Sequence, residues 1–180
     1  MYTFKNLIIL VGVFCITNAN AELKLIDVAG LTLGVSTAED LKQISEGRRY
    51  EIGGFRLSCD PEFEDERLTS FSCFTGLPHY SYDLNSKHQQ RKASNNEIQE
   101  VFLKGFTRKF GPPTKVEKNI FNTEFGRRLE QQTVTWKDQS GNVLTLSNFN
   151  GRVDAGVIML ESKASHQKRL SQDALANRKL

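Results

Sequence analysis

Three groups of residues in this chain have types and spacing that bear on chemistry: its histidines, its cysteines and one acidic run. The histidines are His79, His88 and His166. None stands at a metal-ligand spacing from another histidine or from a cysteine, so no zinc site is expected and they read as solvent-exposed loop residues. The acidic run, Asp60, Glu62, Glu64, Asp65 and Glu66 in "DPEFEDE", is the densest charge cluster in the chain. A calcium loop needs oxygen ligands in fixed register around a central glycine, and this run has neither. It reads instead as the solvated tip of a hairpin and a candidate partner-contact loop. No G-x-S-x-G, H-E-x-x-H or phosphate-cradling glycine loop occurs. The expectation is therefore a non-enzymatic protein with no catalytic, cofactor-binding or metal-binding residues.

The cysteines carry more information once the compartment is read. "MYTFKNLIILVGVFCITNANA" places one positive charge, Lys5, before an apolar run from Leu7 to Ile16 and a closing Ala19-Asn20-Ala21. This is the order of a secretory signal peptide, with cleavage expected after Ala21 and localisation in the periplasm or outside the cell. Cys15 leaves with the leader. Phe14 before it is too bulky for a lipoprotein signal, so no lipid anchor is expected, and no apolar run approaches the length of a membrane span. Cys59 and Cys73 remain, and an even pair in an oxidising compartment predicts one disulfide. Closing a loop of about 15 residues is worth roughly 3 kcal/mol in the loop-entropy model.

Removing 21 of 180 residues leaves 159, enough for one domain or two very small ones. The mature chain loses Lys5 and no acid, so its formal charge falls from +3 to +2. That balance gives no electrostatic attraction for nucleic acid.

The elements that must position these residues can be read in order. In "STAEDLKQI", Ser36 and Glu39 have the spacing of a capping box, with Leu41 and Ile44 as the apolar stripe of a short helix. "YEIGGFRLSC" and "RLTSFSCF" read as strands on either side of an exposed "DPEFEDE" loop. Residues 76–93 read as a polar connection, with a strand near Tyr80 to Leu84. Ser94 and Glu97 repeat the capping-box spacing. Ile98, Val101, Phe102, Phe106 and Phe110 then follow one helical face until Gly111, Pro112 and Pro113 stop it. The basic, aromatic stretch "GFTRKFGPPTKVEKN" is thus a helix terminus rather than a phosphate-binding loop. Four strands follow in "TKVEKNIF", "LEQQTVTWK", "NVLTLSNF" and "AGVIMLES", with Val134, Trp136, Leu144 and Leu146 on buried faces. The basic C-terminal stretch with Lys163, Lys168, Arg169, Arg178 and Lys179 reads as a solvated tail or loose helix, with weak contact to an anionic surface as its sharper alternative.

These signals give an α+β fold with helices packed on one face of an antiparallel sheet, arranged as two tandem helix-plus-sheet units. The expected organisation is a signal peptide at 1–21, one domain at 22–163 with halves at 22–84 and 94–163, and a polar basic tail or helix at 164–180. Lys109, Phe110, Gly111 and Pro113, followed by the Trp136 strand and Leu144 and Leu146, resemble the pattern of small exported bacterial proteins. The opening "GLTLGVSTAEDL" is similar to that of the same group. Over about residues 30 to 163 the chain resembles BamE-like lipoproteins and the β-lactamase inhibitor protein, although it lacks BamE's lipid-attachment cysteine. What the resemblance implies is the helix-on-sheet fold and binding of proteins through a sheet face or loops. The functional expectation is a protein-binding or assembly module of the cell envelope, whose partner is another envelope or secreted protein. The alternative is an inhibitor or immunity-type protein that blocks an exported enzyme.

Overall fold

The computed structural model describes residues 28–75, 84–122, 128–152 and 155–177. The expected leader, residues 80–83 of the expected strand, and Arg178 and Lys179 lie outside the described residues. The element order is α1 (Ala38–Gln43), β1 (Ser45–Glu46), β2 (Arg49–Ile52), β3 (Phe55–Glu64), β4 (Arg67–Phe74), α2 (Leu84–Phe110), β5 (Lys115–Asn122), β6 (Arg128–Lys137), β7 (Val143–Arg152), β8 (Ala155–Glu161) and α3 (Lys163–Asn177). The strands form one antiparallel sheet in the order β1-β2-β3-β4-β8-β7-β6-β5. A helix followed by four strands occurs twice, and the two meanders join where β4 pairs with β8, Cys73 opposite Ile158. The fold is α+β, as the alternation and capping signals predict.

Strand alternation divides the sheet into two faces. Leu57, Cys59, Phe71, Cys73, Val134, Trp136, Leu144, Leu146, Ile158 and Leu160 point to one face and are all buried. α2 lies against it through Ile98, Phe102, Phe106 and Phe110. Phe106 meets Trp136 edge-on at 5.7 Å between ring centres, a geometry in which the positive ring edge faces the negative ring face. Val101, expected on the same stripe, is exposed because it falls outside the buried i, i+4 row.

The helix stops where the sequence requires. Gly111 takes the left-handed conformation at φ 79°, and the Trp136 indole Nε1–H donates to its carbonyl at 3.0 Å. A buried polar cluster fixes the other end of this contact. Thr75 Oγ1 donates to Asn95 Oδ1 at 2.8 Å, and Gln99 Nε2 donates to Thr75 Oγ1 at 2.9 Å. Gly156 lies beneath it: a Cβ there would collide with Gln99 and Thr75 and come within 2.7 Å of the Ser147 carbonyl oxygen.

Three sequence expectations change. The helix begins at Leu84 rather than after Ser94, so the residues 84–93 expected in a connection are helical. "NSKHQQRKA" contains no glycine, proline or β-branched residue, so intrinsic propensity continues the helix where no apolar period marks it. "YEIGGFRLSC" is two strands, because Gly53 and Gly54 both have positive φ (58° and 81°) and form a two-residue hairpin turn. The cap of α1 shifts by one residue: Thr37 and Asp40 make the reciprocal capping box. Ser36 Oγ instead accepts from the Thr32 amide at 3.0 Å.

Candidate functional site

The face opposite α2 carries Asp60, Glu62, Ser70, Ser72, Met159 and Glu161, and α3 lies over it. α3 is thus the exception to one-face packing. With the β3–β4 hairpin it encloses a groove of about 910 Å³.

The hairpin forms one wall. Cys59 and Cys73 face each other across β3 and β4 with Cα atoms 4.0 Å apart, and their sulfurs are bonded. The Cys59 amide donates away from β4, to the Arg48 carbonyl at 3.0 Å. The cysteines therefore occupy a non-hydrogen-bonded pair, where opposing side chains are closest. Both are fully buried, so the cross-link pins the hairpin from its core face.

The hairpin extends beyond its neighbour, since β2 pairs only as far as Ser58. Among the described residues no strand pairs with the segment from Asp60 to Glu64 on the side toward β2. Along β3, odd-numbered amides such as that of Cys59 point to this edge, and Pro61 occupies the next such position. Proline has no N–H to offer an incoming strand, which protects the edge from unselective pairing.

"DPEFEDE" is therefore not a loop: β3 continues through Glu64, and only Asp65 and Glu66 form the turn. Both have positive φ, 48° and 63°. Such values are costly for glutamate, which has neither glycine's freedom nor the local side-chain bonding of asparagine or aspartate. Asp60, Glu62 and Glu64 alternate along the exposed face of β3 and line the groove. Asp65 and Glu66 stand at the tip, outside it. None of these five carboxylates has an ion pair or a side-chain hydrogen bond with the described residues.

α3 forms the second wall. Ser162 starts it: its amide donates to the Thr69 carbonyl at 2.8 Å, and its Oγ accepts from the Ser165 amide at 3.2 Å. No described residue of α3 is fully buried, so apolar packing contributes little to its position. A charged cluster holds it instead. Glu161, the last residue of β8, is only 2% exposed. Arg169 forks onto it, with Nε 2.7 Å from Oε1 and Nη2 2.9 Å from Oε2. His166 Nδ1 is 2.8 Å from Oε2. A carboxylate only accepts, so Nδ1 carries the proton and donates. Arg169 also reaches Asp173 at 3.3 Å.

Burial pushes the Glu161 carboxyl up, but hydrogen bonds from Arg169 and His166, together with their charges, outweigh it and hold the pKa below the ordinary 4.5. The same hydrogen bonding to Glu161, opposed by burial, raises Arg169. These groups are committed to one another and anchor the helix.

The floor between the walls consists of Ser70, Ser72 and Met159. Ser70 is 6% exposed, and its hydroxyl has no partner among the described residues. Lys168 projects from α3 into the groove and is likewise unpaired.

The structure thus brings Asp60, Glu62 and Glu64 together with Lys168 and Arg169. It corrects the reading of His166 as a loop residue: it lies on α3 within the charged cluster. Lys163 packs over Gly141 instead of joining the groove. His88 falls within α2, and His79 lies outside the described residues. Glu161, Ser70 and Met159 were not anticipated. The available signal was a lone acid ending the apolar strand "AGVIMLE", eight residues before an arginine. Among the described residues no group of three histidines, cysteines or acids is placed to hold a metal ion. No helix among them is long and apolar enough to cross a membrane.

Comparison of the chain with protein-family models, with curated proteins and with solved structures returns no match.

Proposed function

We propose that this chain is a non-enzymatic, exported protein-binding module of the cell envelope, and that the groove between α3 and the β3–β4 hairpin is its contact surface. The observation that carries this reading is the state of the charges. Two of the groove's titratable groups, Glu161 and His166, are tied into the anchor of α3. The carboxylates that face outward, Asp60, Glu62 and Glu64, have no partners among the described residues and stand on a disulfide-pinned hairpin. A disulfide-pinned surface of like charge fits recognition of a complementary surface. The repeated order of one helix and four strands is compatible with the resemblance to BamE-like proteins and the β-lactamase inhibitor protein, from which a binding role follows as an expectation.

A second reading, an inhibitor or immunity-type protein, draws on the turn end of the same hairpin. Its Asp65–Glu66 turn extends past β2 and has the form of an element that enters a cleft.

Cross-linking of the full chain in the envelope of the producing cell, followed by mass spectrometry, tests the proposal. A discrete protein adduct is expected with the wild-type chain and is lost with D60N/E62Q/E64Q. No adduct, or one indifferent to those substitutions, contradicts it. An exported hydrolase inactivated by the adduct favours the inhibitor reading.

A further inference from the structure

We infer that the α3 groove takes an extended, cationic segment of the partner protein, one with Lys or Arg at every second position. This rests on the protein-binding reading above and adds the chemistry of the partner.

Asp60, Glu62 and Glu64 recur every two residues on one face of β3. Side chains on one face of a strand repeat every 6.5–7 Å or so, and an extended peptide has the same repeat. Lys or Arg at alternate positions would therefore meet the carboxylates in step, whereas consecutive basic residues would turn half their charges away.

The charge balance agrees. Four carboxylates line the groove, Asp60, Glu62, Glu64 and Glu161, against two cations, Lys168 and Arg169. Arg169 is already committed to Glu161 and Asp173. What remains for a ligand is three carboxylates and one lysine.

Ser70 supplies an independent observation. Its hydroxyl is buried on the groove floor without a partner among the described residues, between Glu62 on β3 and Glu161 on β8 in the sheet register. A buried hydroxyl left unsatisfied is costly, and a backbone or side-chain polar atom of a bound segment would satisfy it. Met159 lines the same space and offers apolar surface for the aliphatic stems of Lys or Arg.

The free edge of β3 is not the docking line, because Pro61 interrupts its donors. The segment lies over the strand face, between β3 and α3. Lys168 then opposes the ligand from the far wall. Removing its charge should tighten binding, an effect that a merely solvated acidic patch would show only weakly.

The test uses the full mature chain and three probes: an acetylated, amidated octapeptide of alternating Lys and Thr, its block isomer with four consecutive Lys, and spermidine. Affinities are measured by calorimetry at low and at physiological salt. The alternating peptide should bind at least fivefold more tightly than the block isomer or spermidine. D60N/E62Q/E64Q should weaken it by about tenfold or more, in line with several modest charge pairs. K168Q should strengthen it, and E97Q, a charge change on α2, should leave it unchanged. Equal binding of all three probes, or binding indifferent to the groove substitutions, overturns the inference. So does no binding of any probe. In that last case a partner adduct on the intact chain would still uphold the protein-binding reading, so the two failures are distinguishable.

Discussion

The two faces of the sheet hold their helices by different means. On one, α2 is fixed by a row of phenylalanines against Trp136 and by the Thr75–Asn95–Gln99 cluster packed on Gly156. On the other, α3 is held by its Ser162 cap and by the Glu161–Arg169–His166 cluster, with almost no buried apolar surface. Apolar burial resists salt and pH, whereas an ion cluster at the edge of solvent does not. One face carries the stability of the fold, and the other keeps a charged groove open beneath a lightly held wall.

Substitutions that attack the first face should have the largest effects. Trp136→Ala removes the edge-on contact with Phe106 and the hydrogen bond to Gly111, and should cost about 3–5 kcal/mol by urea denaturation. If the cost were below 1 kcal/mol, α2 would not be the stabilising layer. Reduction of Cys59–Cys73 should follow, at roughly 3 kcal/mol, together with loss of amide protection in the hairpin.

Arg169→Met should act on the second face alone. It leaves the Glu161 carboxylate buried with only His166 as a partner, so α3 should detach. Hydrogen exchange across residues 163–177 should accelerate at least tenfold, while α2 exchange and the urea midpoint change little. If both helices lost protection together, the contrast between the faces would be wrong.

Acid should produce the same selective release. The folded pKa of Glu161 lies below its ordinary 4.5, so its contribution is fully present above that value. As pH falls below 4.5 the unfolded chain takes up a proton that the folded chain does not, and stability declines until pH passes the folded value. α3 exchange followed from pH 6 to 3 should rise across that window, ahead of α2. The smallest stability effect is expected from D60N/E62Q/E64Q. These carboxylates make no described contact, so the change should stay within about 0.5 kcal/mol.

Much of the second half was legible because its strands alternate cleanly. Val134 and Trp136, then Leu144 and Leu146, mark the buried face residue by residue. The first ten residues of α2 were not legible, because a helix can rest on propensity without an apolar period. Ser36 misled for a local reason: its oxygen bonds back to Thr32, leaving Thr37 to cap the helix. The acidic cluster was visible as charge, but its placement on a strand depended on the register of Asp60 with Ser72 and Glu62 with Ser70. The groove itself could not be read. Ser70 and Arg169 lie 99 positions apart (169 − 70), and the pairing of β4 with β8 brings them and Met159 together.

Site-specific photo-cross-linking in the producing cell shows which face of the sheet meets the partner. A photoreactive side chain is placed at Ser72 on the groove floor or at Val101, exposed on α2. A partner adduct is expected from Ser72 and none from Val101. An adduct from Val101 with none from Ser72 would place the functional surface on the wrong side of the sheet and contradict it.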